Sequence, residues 1–190
     1  MNRSGVAARL AGVFLISRVL DLLVTRLYSP SLQREANPVA SVLGFGWAGL
    51  LCANALGSIV VVWAILLWRR RPLTVPAGNA ARDYWSFASI CYYSKVYPPP
   101  TFLIRSLYRM PSEWRGMFHM LGFVGPAVVS CMSVIAALNW MMLDSPTYRN
   151  FSRETFPWYP YVGPVFVLYY LFFLIYYSYE WKQWRLRECS

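Results

Sequence analysis

Four long apolar stretches constrain this chain more than any motif in it. A helix needs about 20 residues to cross a hydrocarbon core of about 30 Å. Val6–Tyr28, a segment within Pro38–Trp68, Trp114–Leu143 and Tyr161–Trp181 all have that length. Backbone in lipid must satisfy its own hydrogen bonds, which favours helices, and the alternating strands of a barrel are not visible. The expected fold is therefore all-α, a polytopic membrane helical bundle of about four transmembrane helices forming one domain over residues 1–190. The loop 69–113 is expected to add a cytoplasmic interfacial amphipathic segment.

Composition agrees. Soluble domains carry about a quarter charged residues, whereas this chain has 14% and is 57% hydrophobic. Much of its 18% aromatic content is Trp and Tyr, residues that gather where a bilayer meets water. A net charge of +10 would suggest nucleic acid in a soluble protein. Here the basic residues fall between apolar runs, and no nucleic-acid partner is expected. With the N-terminus inside, 13 of the 18 Lys and Arg lie in the cytoplasm, and only Arg34, Arg149 and Arg153 face outward. That bias orients the chain with both termini cytoplasmic, in what we read as a prokaryotic cytoplasmic (inner) membrane. Arg18, Asp21 and Arg26 interrupt the first run and no small-x-small site follows, so no cleaved signal peptide is expected.

Within the loop 69–113, Arg82, Asp83, Ser86 and Ser89 recur at helical spacing. Tyr84, Trp85, Phe87, Ala88, Cys91 and Tyr92 fill the other side. This predicts a helix lying in the interface with its aromatics toward the acyl boundary, ended by Pro98-Pro99-Pro100. The basic loop implies membrane lipid as a partner, including anionic headgroups on the cytoplasmic side.

The first helix carries the most unusual side chains. Arg18, Asp21, Thr25 and Tyr28 share one face, and a carboxylate at membrane depth needs a partner. Arg18, one turn away, can supply it. Beyond lies Glu35-Ala36-Asn37-Pro38, where Asn37 suits a helix N-cap, Pro38 a first helical position and Glu35 the positive end of the helix dipole. If the second span instead starts near Trp47, after a non-helical Gly44-Phe45-Gly46, then Asn54 comes level with Asp21. Both are then about 10 Å deep.

Asp21-x-x-x-Thr25 followed by Glu35-x-Asn37-Pro38 resembles an uncharacterised prokaryotic family of short polytopic membrane proteins, a domain of unknown function. The resemblance covers about residues 6–68. It implies that Asp21, Thr25, Glu35 and Asn37 belong together, and it supplies no activity. Where that family often has a Lys inside the second helix, this sequence has Asn54.

Gly49, Ala53 and Gly57 form a small-residue stripe that allows close helix packing, within the fold or with another chain. Gly122, Gly125 and Pro126 predict a kink. His119 is expected to be a hydrogen-bonded interfacial histidine, with an axial role toward haem or pigment as the lesser reading. The fourth span is a run of Phe and Tyr on several faces, which contact with another subunit, pigment or lipid would explain. The four cysteines lack metal or disulfide spacing and read as buried apolar residues. No metal site is expected, and no cofactor, though bound lipid is. Charge inside the membrane is expected only in the first helix. No nucleotide, hydrolase or zinc signature is present. The sequence thus favours a non-catalytic accessory or scaffold subunit packing with other membrane subunits or with itself. The alternative is a small oligomeric transporter, channel or lipid-active enzyme using the polar first hairpin.

Overall fold

The computed structural model describes residues 2–32, 45–70, 72–75, 81–112, 114–142, 145–148, 150 and 159–188, and every regular element among them is helical. Six helices follow in order: α1 Arg3–Tyr28, α2 Gly46–Arg70, α3 Tyr84–Tyr93, α4 Pro99–Tyr108, α5 Trp114–Met142 and α6 Tyr159–Glu188. The central element is α5, which packs against α1, α2 and α6, while α1 also meets α2 and α3 meets α6.

Two of these helices, α2 and α5 over Gly116–Met142, are long and apolar enough to cross a membrane. Their most apolar windows are only 17% and 39% buried, whereas the core helix of a soluble protein is mostly covered. The residues of α6 span about 45 Å, so this helix outruns the expected fourth span at both ends.

The α2 helix starts later than a continuous Pro38–Trp68 span would. Phe45 is not helical, and Gly46 has φ +57, a left-handed backbone that glycine adopts without a Cβ clash. The shorter helix is the one that levels Asn54 with the polar face of α1. The proposed Asn37 cap, with Glu35 and Pro38, lies outside the described residues.

The middle segment differs most from expectation. Asp83 does cap α3: its carboxylate accepts from the Ser86 N–H at 2.8 Å, and the Ser86 hydroxyl accepts from the Asp83 N–H at 3.0 Å. Yet the serine face points inward. Ser89 is fully buried, donating to the Lys95 carbonyl at 2.7 Å and accepting from the Tyr97 N–H at 2.9 Å, so it closes the turn after α3. Phe87, Ala88 and Tyr92 join the same core as Phe173, Tyr176 and Tyr177 of α6. Periodicity marks α3 as two-faced, but both faces have protein partners. The prolines do separate two elements, yet Pro99 and Pro100 open α4 instead of staying extended. Proline is tolerated in a first turn, where its missing N–H has no intrahelical acceptor.

The aromatics of α6 are absorbed in the same way. Phe173 lies 5.7 Å from both the Phe102 and Tyr92 rings. The Tyr170 hydroxyl donates to the Leu103 carbonyl at 2.9 Å, and Phe87 meets Trp181 and Trp184. The intramolecular cap formed by α3 and α4 therefore accounts for aromatics that the sequence assigned to outside partners.

Candidate functional site

Midway along α1, the Arg18 guanidinium gathers side chains from three helices. It pairs with Asp21 at 2.8 Å, one turn on. Its Nε donates to the Asn54 side-chain oxygen on α2 at 3.1 Å, and Nη2 reaches the same oxygen. Its Nη1 also donates to the Ser133 hydroxyl on α5 at 2.9 Å. Asn54 donates in turn to the Leu50 carbonyl at 2.9 Å. The level of Asn54 matches the late start of α2, but the residue it meets is Arg18. Asp21 and Asn54 are joined only through that guanidinium. Thr25 is buried on the same helix. The cluster is a neutralised, multiply bonded node, and nothing in it couples a nucleophile to a base.

Beside the node lies a cleft of about 290 Å³ lined by Phe14, Arg18, Ala53, Asn54, Gly57 and Val129 among others. Gly57 of the small-residue stripe therefore does not form the tight crossing. Gly57 is exposed, and a Cβ there would meet nothing within 4 Å. The close approach is at Gly122 of α5, where a Cβ would lie 2.7 Å from the Ala64 carbonyl carbon and 2.9 Å from Trp68 Cβ. Gly122 thus serves helix contact, and α5 is helical from Trp114 to Met142, straight through Pro126.

A second polar group was not foreseen. Glu180 of α6 is fully buried, pairs with Arg3 at the start of α1, and accepts from Trp68 Nε1 of α2 at 2.8 Å. Arg3 also lies over the Trp68 ring, 5.3 Å from its centre. Charge inside the helical bundle is thus not confined to α1. The sequence signal was a lone acid amid Tyr176–Trp184, which a reading of that stretch as an interfacial belt passes over. Glu180 also acts on Cys91 of α3. Burial, and then the Glu180 charge, push that thiol up to about 12.

No family model, curated protein or solved structure matches this chain. Its function has to be argued from these groups alone.

His119 is buried on α5, with Nδ1 2.6 Å from the Tyr176 hydroxyl. That bond fixes the ring against α6 and is the hydrogen-bonded role expected of it. Among the described residues no three His, Cys, Asp or Glu side chains gather where they could hold a metal. Cys91 and Cys131 are partly covered, but Cys52 is exposed on α2, contrary to a uniformly buried set.

Proposed function

We propose that this chain is an integral membrane protein that crosses the bilayer about four times, through α1, α2, α5 and α6. In this reading it is a non-catalytic accessory or scaffold subunit that packs against other membrane chains or further copies of itself. The carrying observation is the outside of the bundle. Val13, Ile16 and Leu20 on α1, Leu56 and Ile59 on α2, Val134 and Leu138 on α5, and Val167 and Leu171 on α6 are all at least half exposed. Soluble monomers rarely show apolar patches beyond about 300–600 Å², and an apolar belt on every long helix is the surface that lipid requires. In this reading the Lys and Arg bias puts both termini on the cytoplasmic side of a prokaryotic inner membrane, with the Glu180 group at that face and the α3–α4 cap extending from it along α6 as far as Tyr170. The Arg18 node, some 22 Å along α1 from Arg3, then sits in the outer half of the bilayer.

The scaffold reading draws support from the spent valences of Arg18 and from the open cleft beside Gly57, where the flank of another helix fits. Gentle detergent extraction with native mass measurement tests it. A defined oligomer or heteromeric mass is expected, lost in Gly57→Leu, whose side chain enters the cleft from a position where the added Cβ meets nothing within 4 Å. A lone monomer with nothing retained would sink the subunit reading. The cleft also motivates a second reading, solute movement or lipid chemistry at the polar hairpin. Flux or turnover in reconstituted vesicles, abolished by Asp21→Asn, would favour that over the scaffold.

A further inference from the structure

A different cavity, of about 530 Å³, lies between the C-terminal end of α4, the segment after it, α5 and α6. Its walls are almost wholly apolar, with Met120, Val124 and Gly125 from α5 facing Phe166 and Tyr169 from α6. Arg109, at the end of α4, is the one charged residue on the lining, and no carboxylate shares it among the described residues.

The segment carrying Arg109 is held in place. The Tyr92 and Tyr93 hydroxyls donate to the Arg109 carbonyl at 3.1 and 3.3 Å. Three residues on, the Ser112 N–H donates to the Tyr92 carbonyl at 2.8 Å. Both tyrosines lie in the α3–α4 cap. Both phenols are protonated at neutral pH and donate there, and burial pushes that of Tyr93 up to about 12. Arg109 is therefore held on the wall of an apolar trough by a segment whose backbone is anchored twice to α3.

The dimensions select the occupant. On α5 the lining runs from Met117 to Val129, about 18 Å along the helix, close to one leaflet of a hydrocarbon core about 30 Å thick. The His119–Tyr176 bond sets the register of α5 against antiparallel α6. Ten residues further on α5 and ten back on α6 bring Val129 level with Phe166, so both walls end at one depth. A helix about 10 Å wide running that length would fill roughly 1,400 Å³, far more than the trough holds, whereas a single acyl chain, one methylene wide, can lie in 530 Å³ with the rest of its lipid outside.

We propose that this trough binds one inner-leaflet anionic phospholipid, with an acyl chain lying along α5 toward the bilayer midplane and the phosphate at Arg109. This rests on the membrane reading above, in which the α3–α4 cap that carries Arg109 packs against the cytoplasmic half of α6. It concerns a site apart from the Gly57 cleft.

The test uses the delipidated full-length chain in mild detergent, titrated with phosphatidylglycerol or phosphatidylcholine of matched acyl chains and read by native mass spectrometry. One retained phosphatidylglycerol is expected, favoured about fivefold, the factor matching ~1 kcal/mol for one basic residue near a membrane surface. Arg109→Gln is expected to erase that preference while phosphatidylcholine binding stays. Its backbone contacts to Tyr92 and Tyr93 do not involve the altered side chain. Gly125→Leu, where a Cβ meets nothing within 4 Å, is expected to lower retention of both lipids about tenfold. Leu121→Trp does the same from the rim of the trough and leaves the Gly125–Pro126 backbone untouched. Equal binding of the two lipids by the unaltered chain would overturn the proposal. So would unchanged retention in both trough-filling variants at an unchanged thermal midpoint, or binding of soluble glycerophosphate as tight as that of the phospholipid. Release of the chain from membranes by alkaline carbonate would instead defeat the membrane reading itself, whereas a chain that stays integral yet retains no lipid defeats only this site.

Discussion

Glu180 and Arg3 form the pair whose loss should be felt most. Removing one partner of a buried ion pair leaves an uncompensated charge, a cost of about 3–5 kcal/mol. Glu180 is fully buried, with one carboxylate oxygen shared by Arg3 and Trp68 and the other without a hydrogen bond. Arg3→Ala should therefore lower the unfolding free energy in mixed micelles by about that amount. Adding Glu180→Gln should restore most of it, since the neutral amide keeps an acceptor for Trp68. If the double variant is as unstable as Arg3→Ala, the cost lies in the loss of Arg3 packing on the indole. Arg18 is a contrasting case: its charge is answered by Asp21 within the same helix, as the spacing of three indicates, and its further bonds to Asn54 and Ser133 depend on the fold.

The helices meet through features that pattern alone ranks wrongly. The four-residue spacing of Gly49, Ala53 and Gly57 is the familiar signal for close approach, yet Gly57 faces open space and Gly122 takes the contact. Gly122→Ala forces a Cβ against backbone atoms of α2, an overpacking cost of about 1–3 kcal/mol, and should lower the thermal midpoint. Gly57→Ala should leave the monomer unchanged or raise its stability by up to about 1 kcal/mol through helix propensity. Reversal of that order in a paired thermal measurement would show that the α2–α5 crossing is misassigned. The two-faced α3 helix was legible in the spacing of Arg82, Asp83, Ser86 and Ser89, while the capping box between Asp83 and Ser86 emerged with the structure. The inward turn of Ser89 was not legible, because only the path of the chain from Lys95 to Tyr97 brings partners to it.

Over the whole molecule, the packing of α3 against the bundle makes stability depend on pH in the alkaline range. Cys91 and Tyr93 are both pushed up to about 12, chiefly by burial, and Tyr92 is pushed up further. In an unfolded chain the thiol ionises near 9.0 and the phenols near 10.0. Below pH 9 both states are protonated and these groups leave stability unchanged. As pH rises from about 9 to 12 the unfolded chain releases protons that the folded chain holds, so stability falls across that window. The thermal midpoint in detergent should decline with pH there, and Cys91→Ala should make the decline shallower. A midpoint that stays flat to pH 12 would mean that α3 does not bury these groups against α6.

The four long apolar runs, the Arg18–Asp21 pair and the gathering of basic residues between those runs needed no tertiary information. Each follows from residues close in sequence and from the length a bilayer demands. The level of Asn54 was readable as one of two cases, and the positive φ of Gly46 decided between them. Other features depended on which helices become neighbours. The burial of Glu180, the tight crossing at Gly122 and the trough beside Arg109 each join residues from different elements, and the inward turn of Ser89 is completed by the chain between α3 and α4. A periodic pattern shows that a helix has two faces, and only packing shows whether a face meets lipid, solvent or another helix.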